Sequence, residues 1–131
     1  MTQFEISPEE INDILNRFSP GFPETLYCDD GWFPLIIKLN NDLRAIDSEY
    51  KIYQIKEKFG GLRFYFEPSE SATDEDISHM HELTRQAEDK SFTVCEISGG
   101  PGVLMKKDSW VRTLDPELPG IKEVGWEVVK K

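Results

Sequence analysis

The sequence predicts an α+β fold, an antiparallel sheet with about three helices packed mainly on one face. Three observations carry this expectation. Apolar residues recur with helical spacing at Ile11, Ile14, Leu15 and Phe18, and again at Leu35, Ile36, Leu39 and Leu43. Residues 50–67 alternate with period two on either side of Gly60-Gly61, as a hairpin does. Short strand-like segments then flank the glycine-rich turn at 98–102. The chain has 131 residues, the size of one domain, so residues 1–131 are read as a single unit. In it, 1–30 form an N-terminal helix and loop, and 115–131 a C-terminal extension.

The elements follow in order. Ser7-Pro8-Glu9-Glu10 has the form of a capping box with proline at the first helical position, and Ser19-Pro20-Gly21-Phe22-Pro23 ends the first helix. Asp30 is the expected cap of the second helix, with Pro34 tolerated in its first turn. In the first hairpin strand Tyr50, Ile52 and Gln54 are expected on one face, and Tyr53, Ile55, Glu57 and Phe59 on the other. In the second, Leu62, Phe64 and Phe66 alternate with Arg63, Tyr65 and Glu67. Thr73-Asp74-Glu75-Asp76 opens a third helix with acids at the positive end of its dipole, and Ile77, Met80, Leu83, Thr84 and Ala87 mark its apolar stripe. Residues 92–97 read as a strand that joins 50–67 in the sheet. Val103-Leu104-Met105, residues 110–114 and residues 124–129 are further short strands. The core is expected at Leu35, Ile36, Leu39, Ile52, Leu62, Phe64, Phe66, Met80 and Leu83.

Charge bounds the function. Twenty-five acids against fifteen bases give a net charge of −10. A nucleic-acid binder neutralises phosphates with Lys and Arg, and an anionic membrane surface asks for the same, so the sign argues against both. It favours a basic protein partner. No apolar run approaches the roughly 18 residues of a membrane span, and no signal peptide is visible. Two cysteines, Cys28 and Cys95, make no disulfide framework, which predicts reduced thiols in a cytoplasm. The acids cluster in residues 1–30 and 67–90 around a mildly basic middle. The candidate partner-binding set is therefore Glu70, Asp74, Glu75, Asp76 and Glu82, with Asp29 and Asp30 as a second patch.

Other chemistry is weighed against these carboxylates. Gly60-Gly61 precedes a strand, so it lacks the helix N-terminus that a phosphate loop requires. Lys56, Lys58 and Arg63, interleaved with Tyr53, Phe59, Phe64, Tyr65 and Phe66, are the alternative polyanion-binding residues, on the pattern of a base-stacking sheet. His79 and His81 fall about 200° apart around a helix and cannot share a metal. With Glu82 they are the residues an enzyme would have to use. No metal site and no cofactor are expected.

Three stretches carry a resemblance: "GWFPLIIKLNNDL" at 31–43, "YQIKEKFGGLRFYF" at 53–66 and "TVCEISGGPGVLMKKDSWVRTL" at 93–114. In this order they resemble a family of short bacterial and phage proteins that share a QIKEKFGGLRFY core, over roughly residues 31–114. The resemblance implies a small zinc-ribbon site, with a Cys-x-x-Cys-Gly-x-Pro-Gly turn and a later Thr-Leu-Cys-x-x-His. On that pattern Cys95 holds the first ligand position, Ser98 the second, Asp115 the third and Leu118 the histidine's. Such a set cannot close a zinc site, so a degenerate, metal-free ribbon is implied, with packing around Trp110 in place of the metal. The resemblance implies no activity. The leading expectation is a non-catalytic acidic protein, a cytoplasmic immunity or inhibitor protein for a basic partner such as a toxin nuclease domain. The alternative is a phage or mobile-element accessory protein whose degenerate ribbon contacts nucleic acid or a host protein.

Overall fold

The computed structural model describes residues 8–129. The elements are α1 (Pro8–Asn16), β1 (Leu26–Tyr27), a 3-10 turn (Asp30–Trp32) running into α2 (Phe33–Ile46), β2 (Lys51–Lys58), β3 (Gly61–Glu67), α3 (Asp74–Ser91), β4 (Val103–Lys107), β5 (Trp110–Leu114) and β6 (Glu127–Val128). The α+β class holds. The strands form two three-stranded sheets, ordered β1-β2-β3 and β5-β4-β6, instead of one sheet built on 50–67 and 92–114. Residues 92–97 are not a strand. Hydrogen bonds from Cys95 N–H to the Gly100 carbonyl (2.7 Å) and from Gly99 N–H to the Cys95 carbonyl (2.8 Å) curl this segment. Only an isolated bridge, Val94 to Pro101, remains.

The β2–β3 hairpin turns one residue earlier than its glycine pair suggests. Lys58 pairs with Gly61, so the loop is Phe59-Gly60, and both residues have positive φ (54° and 87°). Such a loop matches the right-handed twist of the strands it joins. Both glycines are buried because the hairpin tip docks on the second sheet. A Cβ on Gly61 would lie 2.4 Å from the Phe92 ring, and one on Gly60 would lie 2.5 Å from Leu104 Cδ1. Thr113 of β5 donates its hydroxyl to the Gly60 carbonyl at 2.7 Å. The glycines are a packing contact between two sheets.

The strict alternation expected along β2 also fails. Register shifts between Ile52 and Gln54, leaving Tyr53 as a bulge opposite the Phe66–Tyr65 step. Ile52 and Ile55 are therefore both fully buried, and Tyr53 joins the solvent face. All three helices cover the other face. Of the expected core, Ile36, Leu39, Ile52, Leu62, Phe64 and Met80 are buried in the main cluster, with Leu35, Phe66 and Leu83 packed against it. Trp32, Leu43, Tyr50 and Ile55 complete its centre. Burying each such side chain is worth roughly 1.5–3 kcal/mol.

A polar chain crosses that core. The buried Tyr50 hydroxyl donates to Asn40 Oδ1, and Asn40 donates to Asp13 Oδ2 at 2.8 Å. Asp13 Oδ2 also accepts from Arg17 Nε at 3.1 Å. Burial would raise the Asp13 carboxyl, but the Asn40 and Arg17 hydrogen bonds and the Arg17 and Arg44 charges hold it below its ordinary value. Around α3, Thr73 and Asp76 form the reciprocal capping box, with bonds of 3.0 and 3.1 Å. Ser7 of the first proposed cap lies outside the described residues. Asp30 does not cap α2: it starts the 3-10 turn that precedes the helix.

A second cluster holds Cys95, Met105, Leu114, Ile121 and Trp126, with Leu118 packed against it. Trp110 is not its centre. That ring is 53% exposed and leans on Trp126 at 5.2 Å. Residues 115–129 are thus part of the fold: their turns deliver Ile121 and Trp126 to the core, and β6 pairs with β4.

Two outcomes follow from these contacts. Phe59 is 69% exposed in a backbone conformation that disfavours side chains, so Phe59→Asn should stabilise the fold by about 1 kcal/mol. Gly61→Ala should instead cost about 1–3 kcal/mol by displacing Phe92. Denaturant unfolding of the two variants checks the pair. Asp13 supplies stability above its unfolded pKa of about 3.9 that is lost as pH falls through its lower folded value. Asp13→Asn should therefore lower the thermal midpoint at pH 6 yet flatten its fall between about pH 4 and pH 2, as read by calorimetry.

Candidate functional site

The two sheets meet at a junction of four carboxyl-bearing or basic side chains. The segment after β1 turns at Asp29-Asp30-Gly31, and Gly31 N–H donates to the Glu96 carbonyl at 2.8 Å. A Cβ on Gly31 would lie 2.3 Å from that oxygen, so only glycine permits the approach. Asp29 N–H donates to Glu96 Oε2 at 2.9 Å. From β5, Arg112 donates through Nε to Glu96 Oε1 at 3.1 Å and through a terminal nitrogen to Asp29 Oδ2 at 2.5 Å. Trp32 fixes the same crossing by donating its indole N–H to the Val94 carbonyl at 2.9 Å. Glu57 of β2 accepts from Gly60 N–H at 2.7 Å.

Around this junction Tyr27, Cys28, Asp29, Glu57, Glu96, Trp110 and Arg112 line a groove of about 360 Å³. Trp110 and Tyr27 are each about half exposed, and the Arg112 guanidinium lies 5.1 Å from the Trp110 ring centroid. Glu96 and Arg112 are buried. Burial pushes the Glu96 carboxyl up, against the lowering by the Asp29 N–H and the Arg112 charge. Burial on its own would lower Arg112, but Glu96 and Asp29 more than offset it and keep the guanidinium charged. Three carboxylates against one guanidinium leave the groove anionic by two charges. Cys28 feels that field. Burial, then Glu96, Asp29, Asp30 and Glu57, push its thiol up to about 12, so it is no thiolate nucleophile near neutral pH.

A second groove of about 430 Å³ adjoins the first and shares Tyr27 with it. Its other walls are Phe22, Pro23, Tyr53, Gln54 and Tyr65. The β1–β2–β3 register explains this lining: Tyr27 is level with Lys56, and Gln54 with Tyr65, on the sheet face away from the helices. The bulge at Tyr53 adds a third tyrosine. Phe22 packs on Tyr53 with ring centroids 4.9 Å apart.

The acids singled out in the sequence divide between two places. Asp29 belongs to the junction, and Asp30 stands exposed beside it. Glu70, Asp74, Glu75 and Asp76 lie toward the opposite end of the first sheet, and Glu82 midway along α3. The 18-residue α3 runs there from Ser91, whose hydroxyl accepts from Leu62 N–H near the hairpin tip. A helix of that length spans roughly 27 Å, so the two patches do not merge. Asp76 is occupied by its cap, and Glu82 pairs with Arg85. The Asp47 carboxylate holds Ser69 N–H (2.7 Å) and so brings Glu49 and Glu67 to the end that carries Glu70, Asp74 and Glu75. Of the alternative basic set, Lys56 and Arg63 are cross-strand partners; Arg63 pairs with Glu88 at 2.9 Å, and Lys58 lies over the Phe59 ring. His79 and His81 stand exposed on α3, and His81 leans on Phe66.

The positions that the resemblance assigns to zinc do not suit it. Cys95 is buried, its Sγ accepts from Ser98 N–H at 3.4 Å, and Leu118 packs on the same cluster. Asp115 accepts from Glu117 N–H at 2.9 Å. Among the described residues no group of three or more His, Cys, Asp or Glu is placed to hold a metal ion. Comparison of the chain with protein-family models, curated proteins and solved structures gives no match.

Tyr27, Glu57, Glu96, Trp110 and Arg112 escape a reading of the sequence, because four separate segments bring them together. The one signal in the sequence was the Asp29-Asp30-Gly31 turn, which marks a break in the chain but not the Glu96 backbone that Gly31 meets. Arg112→Met should cost about 3–5 kcal/mol, by leaving Glu96 buried without its cation. That loss should shrink as pH falls and Glu96 takes up a proton, the reverse of the Asp13 behaviour. Adding Glu96→Gln to Arg112→Met should recover most of it. Denaturant unfolding of the three variants at pH 7 and pH 5 checks the sequence of effects.

Proposed function

We propose that the protein is a non-catalytic binding protein that captures a basic protein partner, acting in the cytoplasm as an immunity or inhibitor protein for a target such as a toxin nuclease domain. The observation that carries this reading is the groove at the sheet junction, where Asp29, Glu57 and Glu96 outnumber Arg112 between the exposed rings of Tyr27 and Trp110. A net charge of −10 steers a cationic surface toward it, and the carboxylates and rings then supply short-range recognition. The acids around Glu70, Asp74 and Glu75 add to the long-range field from the other end. Among the described residues no helix is long and apolar enough to cross a membrane.

A second reading rests on Lys56 and Arg63, which stand side by side on the same sheet face as Tyr27 and Tyr65. Stacking rings beside cations are what a single-stranded nucleic acid uses. This is the accessory-protein alternative, and its cations are few against the surrounding acids.

One experiment separates the two. Surface-immobilised protein is presented with a purified basic nuclease domain and, separately, with single-stranded RNA, at low and high salt. The expected result is a nuclease complex that weakens as salt rises and survives Lys56→Glu with Arg63→Glu. RNA binding abolished by those two substitutions, with no nuclease complex, would reverse the order of the readings.

A further inference from the structure

The groove at the junction and the tyrosine-lined groove share Tyr27, and the two differ in chemistry. One holds three carboxylates and one guanidinium; the other is walled by Phe22, Pro23, Tyr53 and Tyr65. We infer that together they take one extended segment of the partner, an arginine side chain in the anionic groove and an adjacent proline or other apolar residue against the tyrosines. This rests on the reading of the protein as a binder of basic partners and gives that partner a local chemistry.

Three considerations favour arginine. The space at the junction is at the small end of ligand-sized cavities, enough for a side chain and too small for a folded element. A planar guanidinium stacks on aromatic faces and bridges carboxylates, which a compact ammonium does less well. The protein already arranges one guanidinium there in this way: Arg112 lies against Trp110 while bonding Asp29 and Glu96. Glu57 bonds only Gly60 N–H among the described residues, so its carboxylate retains acceptor capacity on the groove wall. On the apolar side, exposed tyrosines with a proline form the kind of surface that receives extended proline-containing segments. An extended segment fits two grooves joined at one residue, where a helix or a flat surface would reach only one.

Trp110 supplies the readout. Trp32 and Trp126 are buried, so the exposed indole of Trp110 dominates any ligand-dependent change in tryptophan fluorescence or indole N–H resonance. The probes are Gly/Ser peptides carrying one arginine next to a proline, one lysine next to a proline, one arginine with no apolar neighbour, or one glutamate next to a proline. The arginine–proline peptide should move the Trp110 signal at the lowest concentration, the lysine and lone-arginine peptides should bind more weakly, and the glutamate peptide should not bind. Glu57→Gln keeps an acceptor for Gly60 N–H and should weaken the arginine–proline peptide about tenfold. Tyr27→Ser should weaken it similarly. Asp42→Asn makes the same charge change on α2, where Asp42 pairs with Lys38 and lines neither groove, and should leave affinity unchanged. Equal binding of lysine and arginine peptides overturns the inference, as does equal loss in Glu57→Gln and Asp42→Asn. A nuclease complex that forms normally with Glu57→Gln and Tyr27→Ser would also overturn it, while leaving the binding of a basic partner intact. No binding of any cationic peptide together with no nuclease complex would remove both.

Discussion

The bond from Gly31 N–H to the Glu96 carbonyl, with the Asp29–Glu96–Arg112 ion cluster around it, is the constraint on which the rest depends. It joins the segment before α2 to the loop before β4 and to β5, which belong to different cores. Charges taken out of water must be paired and hydrogen-bonded to be tolerated, and this cluster meets the condition from three directions. Its positions are therefore tightly specified. Because Gly31 admits no side chain, the loop cannot retreat, and Tyr27 and Trp110 are held at the rim of one groove.

The hairpin tip is the second tie between the sheets. Gly60 and Gly61 sit against Leu104, Thr113 and Phe92, so the segment that looks most like a mobile loop is a buried contact. One consequence is that Glu57, just before the tip, is aimed at the junction. Another is that Phe59 is displaced to the surface with a positive φ, an arrangement retained at some cost in stability. In the second core, Cys95, Leu118, Ile121 and Trp126 pack as apolar groups. Hydrophobic burial holds this part of the chain together.

The acids divide between two places on the surface. The carboxylates at the start of α3 and around Ser69 lie at the end of the first sheet away from the hairpin tip and in part serve caps and local bonds. On the proposed reading they contribute field over distance and the junction contributes contact. Screening by salt weakens the first more than the second, because partly buried charges are less exposed to counterions.

The sequence by itself determined what depends on neighbours along the chain. Periodicity located three helices and the hairpin, the Thr73–Asp76 box fixed where α3 starts, and the nine expected core positions all joined the main cluster, since amphipathic spacing is a local property. Only the tertiary structure decided what depends on distant segments. The bulge at Tyr53 put Ile52 and Ile55 on one face, residues 92–97 curled instead of pairing, and the strands split into two sheets. Asp29, Glu57, Glu96, Trp110 and Arg112 became neighbours because the ion cluster and the glycine contacts hold the sheets together. Charge counts along the sequence pointed to α3, but only the fold placed Glu57 and Glu96 beside Asp29, which Arg112 bonds from 83 positions away.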